Sequence, residues 1–182
     1  MMMADGLAGK LERATSLDAA YSLIKPYPGL GPFLAFQYVI DINYSALLDF
    51  DERDFVVAGP GALDGIAKCF GREAARQPED VIYAMADRQS HAFARLGLSF
   101  SGLFGRPLMP IDCQNLFCEI SKYARVAHPD VPGLSGRTRI KQSYAASSRP
   151  LPKQVFPPRW GLTTPDVSSQ RSASGQLRLF EF

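Results

Sequence analysis

Residues Tyr27-Pro28-Gly29-Leu30-Gly31-Pro32-Phe33-Leu34-Ala35 limit the fold of this chain more than any other stretch. A Pro-Gly-apolar-Gly turn predicts two helices meeting tightly as a hairpin, because glycine reaches backbone angles closed to other residues. The same glycines leave amide N–H groups uncovered. Beside the positive end of the second helix, such amides suit a nucleic-acid phosphate. A plain αα-hairpin turn carries the same signature, so the string fixes local structure before it fixes a role.

Helical spacing extends on both sides of this turn. Thr15 or Ser16 can cap a first helix with Asp18 in its opening turn, and Leu17, Ala20, Tyr21 and Ile24 form its apolar stripe. Pro26 and Pro28 stop it, and Pro32 fits the first turn of a second helix over about residues 33–43. Further helices are predicted over residues 62–70, from about residue 78 to before Gly97, and from Asp112 as cap through residue 127. Val81, Ile82, Met85, Phe93 and Leu96 are the expected buried stripe of the fourth, with Leu116, Ile120, Tyr123 and Ala124 facing inward on the last. Residues 1–10 are short and mixed, and no element is assigned to them. No sustained period-two pattern appears, so the fold is predicted to be mainly α. The expected organisation is a helical domain over residues 11–144, a disordered Ser/Pro-rich linker over 145–175, and a terminal peptide over 176–182.

Charge is distributed unevenly along the 182 residues, although the formal net charge is only +2. Between residues 122 and 160, eight cations (Lys122, Arg125, Arg137, Arg139, Lys141, Arg149, Lys153 and Arg159) face one acid, Asp130. That asymmetry suits a polyanion more than a membrane, since no basic amphipathic repeat accompanies it; a solvated basic tail is the alternative. No apolar run spans a bilayer and no signal-peptide pattern opens the chain, so a cytoplasmic location is expected. Cys69, Cys113 and Cys118 lack Cys-x-x-Cys spacing and read as buried or incidental thiols in a reducing compartment. With His91 and His128 lacking partners at ligand spacing, neither a metal nor another cofactor is expected.

Four constellations carry the chemistry. Gly59-Pro60-Gly61-Ala62 brackets a helix entry and resembles a small anion nest for phosphate, or else an ordinary loop-to-helix turn. The chain contains no Gly-x-x-x-x-Gly-Lys-[Ser/Thr], which disfavours a P-loop kinase. Asp112, Asn115, Glu119 and Lys122 fall three or four apart, flanked by Gln114 and Arg125, and could line a pocket for a base edge or an amine. Helix capping by Asp112 and a surface pair of Glu119 with Lys122 account for them equally well. Arg137, Arg139 and Lys141 alternate with uncharged residues, so an extended backbone aims all three to one side at successive phosphates. Finally, Gln176-Leu177-Arg178-Leu179-Phe180 matches the peptide by which bacterial replication and repair proteins dock on the sliding clamp. Gln176 would supply directional hydrogen bonds while Leu177, Leu179 and Phe180 fill an apolar groove; the alternative is a segment folding back on the core.

Four strings in this order resemble the helical domain associated with 5-hydroxymethyluracil DNA kinases, a family close to the α-glutamyl/putrescinyl thymine pyrophosphorylases. They are residues 28–37 (Pro28 to Gln37), 54–62, 111–119 and 136–142. The resemblance implies a helix-hairpin-helix fold similar to DNA glycosylases and work on thymine-derived bases in DNA, with phosphorylation left to a separate kinase. Family modules have more helix before the hairpin than this chain supplies, which implies a shortened N-terminus or an incomplete fold. In bifunctional glycosylases of this fold a lysine sits two residues past the last hairpin glycine. Here that residue is Phe33, so Schiff-base chemistry is unavailable. Their catalytic aspartate corresponds to Asp54, or failing that Asp51. On this view Asp54, Asp112 and Glu119 are the candidate catalytic groups, while Gln114, Asn115 and Lys122 orient base or nucleophile. Gly29, Gly31, Arg137, Arg139 and Lys141 would hold the DNA backbone, and Gly59 and Gly61 a phosphate. A monofunctional glycosylase using Asp54, and a non-catalytic DNA-binding adaptor tethered to the clamp, are the competing expectations.

Overall fold

The computed structural model describes residue 2, residues 4–141 and residues 155–162. The chain divides into two units, Met1–Ala145 and Ala146–Phe182. Among the described residues, six α-helices build the first: α1 (Leu7–Leu11), α2 (Leu17–Ile24), α3 (Pro32–Asn43), α4 (Pro60–Phe70), α5 (Pro78–Arg95) and α6 (Pro110–Ala127). Among the described residues there is no strand, only an isolated bridge between Leu103 and Arg106, and no helix is long and apolar enough to cross a membrane. The second unit shows one 3-10 turn, Pro158–Trp160, with the Phe156 and Trp160 rings 6.1 Å apart. Most of residues 145–175, Gln142, and the clamp-peptide residues Gln176, Leu177, Leu179 and Phe180 lie outside the described residues.

The first hairpin follows the sequence closely. Ser16 caps α2, its hydroxyl oxygen accepting the Ala19 N–H at 3.0 Å, and Leu17, Ala20, Tyr21 and Ile24 are buried. Gly29 takes φ +85°, the left-handed turn conformation that a side chain disfavours. Pro32 then occupies the first turn of α3. Phe36, Val39 and Ala35 are wholly buried on its inner face; burying a side chain such as Phe36 stabilises by about 1.5–3 kcal/mol. Phe55 bridges the pair, its ring 5.1 Å from Tyr21 and 5.8 Å from Phe36. The buried Asn43 amide closes the end of α3 by donating to the Phe50 carbonyl at 3.0 Å and accepting the Phe50 N–H at 2.9 Å.

Several details depart from the sequence expectation. α1 exists, because Leu7 and Leu11 find burial against the hairpin core. α4 starts two residues and α6 three residues earlier than expected, at Pro60 and Pro110, since proline is preorganised for the first helical position. Only Ile82 of α5 is fully buried, while Met85 and Leu96 are 42% and 66% exposed. The inner face of α6 is rotated by one residue: Cys113, Phe117, Ser121 and Ala124 point in, whereas Leu116 and Tyr123 point out. Burial, with the Asp112 charge adding to it, pushes the Cys113 thiol up to about 11.

Candidate nucleic-acid interface

α4 and α6 form the tightest helix pair in the molecule because α4 presents glycine where they cross. A Cβ on Gly61 would lie 2.8 Å from Cys118 Sγ, and one on Gly65 would overlap the Phe117 carbonyl oxygen. This close approach turns Asn115, Glu119, Lys122, Tyr123 and Val126 of α6 outward. Opposite them residues 136–141 run exposed, outside any helix or strand. Between helix and basic segment lies an open groove of about 1500 Å³, to which Phe33 and Gly61 also contribute. Its walls carry Lys122, Arg125, Arg137, Arg139 and Lys141 against the single acid Glu119. Apolar surface is interleaved, with Tyr123 54% exposed and Val126 and Ile140 beside it.

A buried carboxylate fixes one wall. Asp64 of α4 is 1% exposed. It accepts the Ser121 hydroxyl at 2.6 Å and the Leu134 and Ser135 N–H groups at 2.7 and 2.9 Å. Burial alone would raise its pKa, but these hydrogen bonds outweigh that cost and hold the carboxyl below the usual aspartate range. Arg125 donates to Ser121 Oγ at 2.9 Å and stands 3.8 Å from Asp64 Oδ2. One turn along α4, the Lys68 ammonium donates to the Val131 carbonyl at 3.0 Å.

Seven of the expected site residues therefore line one groove: Gly61, Asn115, Glu119, Lys122, Arg137, Arg139 and Lys141. Glu119 and Lys122 are an exposed pair at 2.6 Å. Gly29 and Gly31 are exposed in the hairpin turn with open space around each, and Phe33 reaches the groove from there. Gly59 is buried beneath the Phe33 ring, 2.6 Å from where its Cβ would be. Packing thus explains glycine at 59 and 61 without a ligand.

Three of the expected polar groups do not face the groove. Gln114 is fully buried. Its amide donates to Cys118 Sγ at 3.2 Å and to Asn115 Oδ1 at 3.4 Å, leaving its carbonyl oxygen without a partner. Asp112 is not the helix cap but sits in the first turn of α6, where Oδ2 accepts the Met109 N–H at 2.8 Å and the Arg106 guanidinium at 2.7 Å. Arg106, 8% exposed, also binds Glu52 at 2.7 Å, and the Tyr44 hydroxyl donates to Glu52 at 3.2 Å. Asp54 is exposed elsewhere, near Tyr83 of α5. A separate polar cavity of about 470 Å³, lined in part by Arg53, Tyr83, Asp87 and Ser90, adjoins that region.

Sequence reasoning missed Asp64, Ser121 and the Glu52–Arg106 pair. For Asp64 a signal existed: it lies among Ala62, Ile66 and Ala67 on the buried face of α4, and a carboxylate there requires partners. Among the described residues no group of three or more His, Cys, Asp or Glu side chains could hold a metal ion.

Compared with known proteins, residues 1–133 match the model of the family described as 5-hmdU DNA kinase, helical domain. The match ends before the basic segment. No curated protein and no solved structure matches the chain.

Proposed function

The chain belongs to the family of the 5-hmdU DNA kinase helical domain, which fits a role in thymine modification, and on that footing we propose that its groove holds DNA carrying 5-hydroxymethyluracil or the phosphorylated base. The observation that carries this reading is the convergence of cations from α6 and from residues 136–141 on one groove that also exposes Tyr123 and Ile140. Cations bind phosphates by releasing counterions, while aromatic and aliphatic faces favour an unstacked base. Arg137, Arg139 and Lys141 would hold the strand, with the Gly29–Gly31 turn gripping a second phosphate in the helix-hairpin-helix manner. The N-terminus of α4 at Gly61 would meet a substituent phosphate. Asn115, Glu119 and Lys122 would orient the extruded base and its hydroxymethyl group. With no P-loop in the sequence, phosphoryl transfer would belong to a separate kinase.

A second reading, a DNA-binding adaptor without catalysis of its own, draws on the polar inventory. Glu119 is the only acid lining the groove among the described residues, and Lys122 already pairs with it. Asp112 and Gln114 are committed to the fold. Such an adaptor would reach the sliding clamp through residues 176–180. A glycosylase is favoured less, because its expected aspartate, Asp54, does not line the groove.

The test is fluorescence anisotropy with an oligonucleotide containing 5-hydroxymethyluracil, followed by nucleoside mass spectrometry. The Arg137→Ala/Arg139→Ala/Lys141→Ala variant should lose most binding and lower the salt slope by about 1 per phosphate contact removed. Wild-type affinity in that variant rejects the groove. Product formed by wild type but not by Glu119→Gln selects the enzyme over the adaptor, and an abasic product abolished by Asp54→Asn selects the glycosylase.

A further inference from the structure

We infer that Asp64, which does not itself line the groove, is the positioning residue that sets the basic segment 136–141 opposite α6 and so makes the groove competent to bind. This inference rests on the DNA-groove reading above for its binding readout, but not for its structural one.

The geometry is specific. One carboxylate oxygen of Asp64 takes two consecutive backbone amides, Leu134 and Ser135, and the other takes the Ser121 hydroxyl of α6. A single side chain therefore joins α4, α6 and the turn that launches the basic segment. Gly133 lies so close that any Cβ there would overlap Asp64 Oδ1. The turn thus sits on the carboxylate rather than near it. Lys68 holds the other side of the same turn through the Val131 carbonyl. Gly136, at φ +59°, then turns the chain into the exposed basic segment. Farther along, Arg125 links the Asp64–Ser121 pair to the Arg139 carbonyl at 3.4 Å.

This arrangement matters because residues 136–141 belong to no helix or sheet. A segment without helix or ladder hydrogen bonds has no local reason to stay in one conformation. Ordering it at the moment of binding would subtract from affinity. Charge-assisted hydrogen bonds from backbone amides to a buried carboxylate are strong and directional, so Asp64 supplies that order in advance.

The full chain carrying Asp64→Ala or Asp64→Asn should be measured in three ways. Circular dichroism melting reports the helices, limited trypsin digestion reports exposure of the bonds after Arg137, Arg139 and Lys141, and anisotropy against salt reports binding. Asp64→Ala is expected to speed trypsin cleavage at those bonds and weaken oligonucleotide binding about tenfold while the helices still melt cooperatively. Asp64→Asn keeps one oxygen for the two amides and should restore most of both. Unchanged cleavage and unchanged binding in Asp64→Ala overturn the inference. If Asp64→Ala does not fold, Gly133→Ala and Lys68→Ala displace the same turn with the carboxylate intact, and wild-type cleavage in both rejects it equally. If wild type itself does not bind, the groove reading fails alone, and the trypsin pattern still decides the role of Asp64.

Discussion

At the start of α6 the Arg106 guanidinium is shared between Asp112 and Glu52 and buried, whereas near its end Arg137, Arg139 and Lys141 are exposed and form no ion pair among the described residues. Both ends use the same residue types, yet charge is consumed at one and displayed at the other. The Arg106 triad ties the loop after α3 and the loop after α5 to one helix. Such an arrangement is stable only while each member keeps its partner. At the other end Asp64 and Ser121 engage Arg125 of the groove wall, while Arg137, Arg139 and Lys141 stay exposed. The contrast is what supports the proposed DNA groove, without reference to any motif.

The largest effect should come from breaking the consumed end. Arg106→Met leaves two largely buried carboxylates, Glu52 and Asp112, without their cation, and should cost about 3–5 kcal/mol in denaturant unfolding. An unchanged midpoint would mean that the triad is solvated and that the contrast is false. The displayed end should respond in the opposite sense. Replacing Arg137, Arg139 and Lys141 together by alanine should move stability by no more than about 0.5 kcal/mol in the same measurement, because these side chains are exposed and form no ion pair among the described residues. A large loss there would show that the basic segment is part of the fold rather than a surface offered by it.

Local rules made the hairpin readable, and long-range packing hid the rest. The Ser16 cap, the Leu17-to-Ile24 stripe and the Gly29 turn are set within a few residues of one another, and they stand as the spacing predicts. α6 was harder. Its inner face is chosen by Gly61 and Gly65 of α4, which draw Cys118 and the Phe117 backbone into contact, and nothing near residue 117 announces a partner more than fifty positions upstream. The one-residue rotation that follows sends Tyr123 into the groove and Gln114 into the core. Asp112 was recognisable as a helix-start residue but not as half of an ion triad, since Glu52 is remote in sequence. Arg137, Arg139 and Lys141 line one wall of the groove, but their alternation says nothing of what places that wall, and the periodicity of α4 marks Asp64 only as an anomaly.

The smallest expected effect separates the two ends by pH. Asp64 binds its proton less readily when folded than when unfolded, because the Ser121, Ser135 and Leu134 hydrogen bonds favour the carboxylate more than burial disfavours it. Its ionised form therefore contributes stability that is complete above the unfolded aspartate value, about 3.9. That contribution is lost as pH falls through the lower folded value. The stability gap between wild type and Asp64→Asn should accordingly be widest near neutrality and close progressively on acidification. The variant lacking Arg137, Arg139 and Lys141 should instead keep a constant offset from wild type over the same range, since it leaves Asp64 and its hydrogen bonds in place. Denaturant melts at a series of acidic pH values check both. A gap for Asp64→Asn that stays constant, or that opens as pH falls, would mean that the carboxylate is not held ionised by the turn it carries.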